Sequence, residues 1–292
     1  RVTAVIPIKE FAEDKFLIGV TKNGIIKKTA LSNFDTNRKT GLIAMNLKDN
    51  DELIGIKQTT GNNNVIIVTK HGKCICFSEE DVRPMGRIAG GVRAIKLEKD
   101  DEVVSMELVE PGQELLVVTQ KGFGKRTKVE EYKIQVRGGK GLLTYDKAKF
   151  KKTGELIGAI VVDDEDDVML INSDGIIIRM EAKEISKLGR ATQGVKIMNV
   201  KEETNIISLA KVARQDELEK EIKEVKDNTS KYQEKLDALV LEAIYGTSDE
   251  EKIADLTDID VKIQTYIDNM KLEGYVISKA DIESKNFSVV YP

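Results

Sequence analysis

The chain has 292 residues, 33% of them charged and 40% apolar, with no tryptophan, two cysteines and one histidine. No apolar run reaches the roughly 18 residues of a membrane-spanning helix, no secretory signal opens the chain, and two cysteines exclude a disulfide-stapled scaffold. The net charge of −4 conceals a division: residues 1–214 carry 36 Lys and Arg against 31 Asp and Glu, and residues 215–292 carry 10 against 19. A basic body with an acidic tail is the pattern of a polyanion binder whose tail competes for the body. Residue 1 is Arg, so a piece of a longer protein is the expectation.

The first predicted element is a strand at Phe16-Leu17-Ile18, followed by the turn Lys22-Asn23-Gly24 and a second strand. The same sequence of features returns at Val65–Val68 with Gly72, at Leu115–Val118 with Gly122, and at Val168–Ile171 with Gly175. The turn glycines are 48, 50 and 53 residues apart, and a period near 50 marks a repeat architecture. Ten residues after each glycine stands Phe34, Val82, Tyr132 or Ile185, and a second glycine follows at Gly41, Gly91, Gly141 and Gly194. Each unit then leads into an apolar run, as at Leu53-Ile54, Val103-Val104, Leu156-Ile157 and Ile206-Ile207. The runs are continuous, not alternating, so both faces of each strand are buried. Asn-Gly and Asp-Gly turns join them as hairpins. Small twisted sheets with two apolar faces need neighbours on both sides, and radial stacking supplies them. The predicted fold is mainly β: a β-pinwheel or propeller-like array of about four four-stranded blades plus a closing strand over residues 1–212, followed by an antiparallel α-helical hairpin over 213–292.

Within the body the cations recur at fixed repeat offsets. Lys27 and Lys28 stand three and four residues after Gly24, Lys125 and Arg126 after Gly122, and Arg179 four after Gly175; the second copy has Ile75 and Cys76 there. The connecting segments add Arg38 and Lys39, Arg83 and Arg87, Arg137 and Lys140, and Arg190, with Arg93 and Lys196 two residues past the second glycine. Stacked radially, these positions would form a cationic rim. Singly, each is an ordinary surface charge; their periodicity points to a polyanion. With aromatic residues at 5%, stacking of single-stranded bases is disfavoured, and duplex phosphates suit the rim better.

Other motifs carry little chemistry. Gly138-Gly139-Lys140-Gly141 is followed by Leu142, which fails the Ser or Thr requirement of a phosphate-binding P-loop. Asp163–Asp167 lacks the spacing and glycine of a calcium loop and reads as a solvated hairpin loop. Cys74 and Cys76 lie two apart on a strand and read as buried packing. His71 reads as an exposed turn residue, and no convergent catalytic set or metal-ligand cluster is found.

The segments Val2–Phe11, Lys22–Thr29, Gly122–Thr127 and Gly189–Val195 resemble the C-terminal domain of the DNA gyrase A protein, over about residues 1–212. The resemblance implies a β-pinwheel whose basic perimeter wraps duplex DNA and directs ATP-dependent negative supercoiling in a bacterial, cytoplasmic, nucleoid-associated holoenzyme. It implies a heterotetramer with the gyrase B protein, no cofactor in this stretch, and ATP, Mg2+ and the catalytic tyrosine acting elsewhere. Two departures stand out. The family's box, Gln-Arg-Arg-Gly-Gly-Lys-Gly, belongs at the start of the domain, whereas Gln135–Gly141 lies in the third repeat with Val136 in place of Arg. The family has about six blades, and this chain enters at the second.

The tail has no such counterpart. Leu218, Ile222, Val225, Tyr232, Leu236, Leu239 and Ala243 follow helical spacing. Ser248–Glu251 forms a capping box before a second stripe from Ile253 to Met270. Two other functions fit the residues: the equivalent domain of the topoisomerase IV A protein, and a propeller-like protein-interaction module that does not bind DNA.

Overall fold

The computed structural model describes residues 4, 6–8, 10–36 and 41–212. The chain divides into two units, Arg1–Arg214 and Gln215–Pro292. The predicted helical hairpin of the tail lies outside the described residues, as do Arg38 and Lys39.

The continuous β-branched runs pair as hairpins: β1 (Phe16–Thr21) with β2 (Ile25–Ala30), then, beyond β3 (Leu53–Thr59), β4 (Asn64–Thr69) with β5 (Lys73–Ser78). After β6 (Val92–Arg93) and β7 (Val103–Val109) come β8 (Glu114–Thr119) and β9 (Phe123–Lys128). After β10 (Leu142–Leu143) and β11 (Leu156–Val162) come β12 (Asp167–Asn172) and β13 (Ile177–Glu181), with β14 (Val195–Lys196) and β15 (Ile206–Val212) to close. Every hairpin turn uses its glycine in the left-handed region, at φ between 77° and 79°, where a Cβ would be strained. A residue three positions before each glycine ties the turn down. Thr21, Thr69 and Thr119 accept the amide of the residue after the glycine through Oγ1 at 3.2 Å, and Asn172 Oδ1 does so at 2.8 Å.

The hairpins assemble into four antiparallel sheets, ordered β3-β1-β2-β6, β7-β4-β5-β10, β11-β8-β9-β14 and β15-β12-β13. The strands β3, β7, β11 and β15 lie next to one another in that order; between β7 and β11, for example, Ser105 Oγ donates to Ala159 O at 2.8 Å and accepts Ala159 N at 2.9 Å. They form the inner edge of a propeller-like arrangement, and β6, β10 and β14 form its outer edge. One short α-helix, Phe150–Thr153, is found among the described residues, besides short 3-10 turns, and no helix there is long and apolar enough to cross a membrane.

Burial follows the two-faced reading. Val65 and Ile67 pack into the core between the first two sheets, with Ile18, Val20 and Ile26, while Ile66 and Val68 pack into the next core with Leu115 and Val117. Leu116 and Val118 point the other way, into the core shared with Val168 and Leu170. Cys74 and Cys76 are free and buried; burial pushes both thiols up, Cys76 to about 11, so they are packing groups and poor nucleophiles.

Candidate nucleic-acid interface

The outer edge is made by exchange between repeats. After its hairpin, each of the second, third and fourth repeats runs back along the second strand of the preceding blade, as shown by the parallel bridges Lys28–Pro84, Cys76–Ile134 and Arg126–Lys187. It then turns on its second glycine and adds a two-residue strand there: β6 on β2, β10 on β5, β14 on β9. Gly91 (φ 82°) and Gly194 (φ 79°) make this possible. A Cβ on either would lie 2.6 Å from Ile26 O or 2.7 Å from Gly124 O, closer than real contacts allow.

This exchange covers the strand residues at the first set of predicted offsets. Lys27, Lys28, Lys125 and Arg126 are 3%, 4%, 0% and 2% exposed, so the structure removes them from the set that can meet a phosphate. Lys27 Nζ donates to Ala44 O at 2.8 Å and to Arg87 O. Lys125 Nζ donates to Gly189 O at 2.5 Å and to Arg190 O, and burial pushes its amine down to about 8. Burial also lowers Lys27, helped by the nearby Arg87 charge. Lys125 thus clasps two carbonyls of the segment laid over it, and Lys27 clasps one there and one, Ala44 O, in its own repeat. Their neighbours are countered by carboxylates: Lys28 Nζ lies 3.8 Å from Glu79 and donates to its carbonyl at 2.8 Å. Arg126 bridges Glu114 at 2.7 Å and Asp164 at 2.6 Å, and its Nε donates to Ile185 O at 2.9 Å.

The covering segments themselves carry the exposed charge. Arg83, Arg93, Lys140, Arg179 and Lys196 are exposed; Arg87, Arg137 and Arg190 are half-buried. Arg137 is partly spent on the fold, donating to Asp81 O at 3.2 Å and to Arg93 O. Arg179 pairs with Asp167 at 2.7 Å and is exposed because, among the described residues, no following repeat overlies β13. Lys196 and Lys152 lie 5.6 and 5.5 Å over the Phe123 ring. Lys133 is exposed and stands at the same repeat offset as Arg83; the sequence reading missed it, although the period itself marks it.

Acidic residues precede each basic segment, and the structure occupies several of them. Glu130 accepts Gly112 N at 2.6 Å and Glu131 accepts Arg190 N at 3.2 Å; Glu79 is fully buried. The run Asp163–Asp167 is only partly a solvated loop, since Asp164 pairs with Arg126 and Lys187 and Asp167 is buried. His71 is likewise half-buried, its Nε2 3.2 Å from Glu155, among contacts that join neighbouring blades such as Lys22 to Glu102 at 2.9 Å. Gly138 is a clasp: its amide donates to Ala94 O at 2.7 Å, and Gly139 O accepts Lys96 N at 2.8 Å. No group of three or more His, Cys, Asp or Glu side chains is placed to hold a metal ion among the described residues.

The family profile described as DNA gyrase C-terminal domain, beta-propeller, matches residues 15–60, 63–110, 113–163 and 166–213, one stretch per blade. The DNA gyrase A protein of Mycolicibacterium smegmatis is 40% identical over 234 residues, 79% of this chain and 27% of that protein. Its counterpart from Salmonella typhimurium is 41% identical over 213 residues, 73% of this chain and 24% of that one. The chain thus spans about a quarter of the length of these relatives. Among solved structures, the C-terminal domain of DNA topoisomerase IV superposes with a TM-score of 0.71 at 28% identity, covering 76% of this chain and 69% of the other. The DNA gyrase A C-terminal domain gives 0.64 at 27%, covering 70% and 68%.

Proposed function

The chain belongs to the family of DNA gyrase C-terminal β-propeller domains, and on that premise we propose that it binds and bends duplex DNA along its outer edge as part of a gyrase A protein. The observation that carries this reading is the separation of its cations. Those on β2 and β9 are buried and lock the covering segments in place, while Arg83, Arg93, Lys133, Lys140 and Lys196 on those segments face solvent on successive blades. Charges held by backbone clasps keep their spacing, so a duplex following them meets phosphate contacts without reordering the protein. Such contacts position the duplex and carry little sequence information; preference among sequences then arises from the cost of bending, of order 1–6 kcal/mol for a 20–30 base-pair site.

In the longer protein the bent duplex would be handed to the cleavage site with a fixed hand, giving negative supercoiling in a cytoplasmic complex with the gyrase B protein. ATP and Mg2+ would act there, outside this chain. Identity near 40% to gyrase A proteins supports gyrase over topoisomerase IV, whereas the two solved domains, at 28% and 27% identity, do not discriminate between them.

The test is binding of linear duplex across a salt series. Five phosphate contacts give a slope of log affinity against log salt of about −4.5, or about a 500-fold loss between 50 and 200 mM. Arg93→Glu, Lys133→Glu and Lys140→Glu together should flatten the slope by about 3. A flat, weak response by the parent chain would instead identify a protein-interaction module.

A further inference from the structure

On the way from its second glycine to its inner strand, each repeat crosses the side of the blades that carries the hairpin turns. The crossing is tied there by one repeated bond: Lys22 N donates to Glu52 O at 2.8 Å, Lys70 N to Glu102 O at 2.8 Å, Gln120 N to Glu155 O at 2.9 Å and Ser173 N to Asn205 O at 2.8 Å. Three crossings, residues 46–52, 96–102 and 199–205, are seven residues long with net charges of −2, −2 and −1. The remaining one, residues 146–155, is three residues longer. It carries Lys147, Lys149, Lys151 and Lys152 against Asp146 and Glu155, a net charge of +2. It joins β10 on the second blade to β11 on the third, in the middle of the row.

The extra residues are held firmly. Phe150 stacks on Tyr145 with ring centroids 5.7 Å apart and covers the hairpin glycine Gly72, where a Cβ would meet its ring at 3.2 Å. Asp146 Oδ1 accepts Ala148 N at 3.0 Å, and Thr153 O accepts Lys121 N at 2.9 Å. Lys147 is spent on the fold, 2.6 Å from Glu98, which also holds Lys73 at 2.7 Å. Lys149, Lys151 and Lys152 are exposed. Lys152 Nζ lies 5.5 Å over the Phe123 ring, and Lys196 of the outer edge lies 5.6 Å over the same ring. The two ammoniums are therefore separated by no more than about three phosphate steps of one strand, and the charge of the outer edge continues onto the hairpin side. On the reading that the outer edge binds duplex DNA, on which this inference rests, we propose that Lys149, Lys151 and Lys152 form a second phosphate-binding site, which takes the duplex backbone where it leaves the edge at Lys196. A duplex held at both places crosses the third blade obliquely, so this turn sets the pitch of the bend.

The experiment uses the full 292-residue chain and linear duplex DNA. Lys149→Gln, Lys151→Gln and Lys152→Gln together, all at exposed positions, should flatten the slope of log affinity against log salt by about 2–3, beyond what the outer edge contributes, since each lost phosphate contact removes about 0.9. Lys48→Gln, Lys99→Gln and Lys201→Gln remove the same charge from exposed positions on the other three crossings and should leave the slope unchanged. Equal flattening by both triple variants overturns the proposal, because net charge alone then accounts for it. Cys74 and Cys76 are buried, so Lys151→Cys offers a single accessible thiol for a tethered iron–EDTA cleavage reagent. That conjugate should cut bound duplex at least tenfold more than the Lys99→Cys conjugate, while a Lys140→Cys conjugate reports on the outer edge. Cutting from position 140 without cutting from 151 overturns the proposal and leaves binding at the edge standing. If the parent chain binds no duplex and neither conjugate cuts, the edge reading fails and this site fails with it.

Discussion

Replacing Lys125 by methionine separates a clasp from a phosphate contact. The amine is fully buried against two carbonyls of the next repeat. Met has similar length and no donor, so it leaves both carbonyls unsatisfied, a loss of about 1.5–3 kcal/mol for each charge-assisted bond. Against this, the variant escapes the cost of burying a charge, which is what lowers the amine from 10.5 to about 8. A lowering of that size corresponds to about 3 kcal/mol. At pH 7 these contributions largely offset, and a net destabilisation of about 1–2 kcal/mol is expected. The sign of the pH dependence is more telling. Between about 8 and 10.5 the unfolded chain holds the proton and the folded chain releases it, so native stability rises with pH through that window. The methionine variant lacks this contribution, and its deficit relative to the parent should grow by up to about 3 kcal/mol across the window. Urea denaturation of both proteins at pH 7, 8, 9 and 10 measures it. A deficit that is flat or shrinks over that range would show that the amine is not buried in its charged form. The same variant should keep the parental salt slope for DNA, whereas a lost phosphate contact would reduce it by about 0.9.

Two further substitutions probe the blade junctions. Gly194→Ala combines a left-handed backbone (φ 79°) with a Cβ 2.7 Å from Gly124 O, and should cost at least about 2 kcal/mol, a fall in Tm of about 5 °C for a domain of this size. Gly175→Ala, at the same φ but with open space around it, should cost only the backbone part, about 1 kcal/mol. Equal losses in calorimetry would contradict the crowded junction. Glu79→Gln should cost about 3 kcal/mol, since the carboxylate that faces the buried Lys28 ammonium at 3.8 Å is neutralised and the cation is left uncompensated. Adding Lys28→Met should recover part of that loss, and a strictly additive double-mutant cycle would argue against the pairing.

How much was legible in the sequence can be judged from particular residues. Val65–Val68 and Leu115–Val118 are apolar without interruption, which requires two buried faces, and Gly24, Gly72, Gly122 and Gly175 mark the hairpins because only a residue without Cβ turns there at no steric cost. The same repeat count marked Arg83, Arg93, Lys140 and Lys196, which are exposed. What the period could not decide was the fate of Lys27, Lys28, Lys125 and Arg126. Their offsets place them on the second strand of a hairpin, and an isolated hairpin would leave them in solvent.

Whether they stay there depends on a segment some 50–65 residues further along the chain. The local pattern therefore determined strands, turns, repeat and buried faces, because these arise from side-chain alternation and backbone sterics within a few residues. Only the tertiary structure decided which cations become clasps and which become surface, because that depends on one repeat lying over another, and solvent exposure is a property of the whole stack.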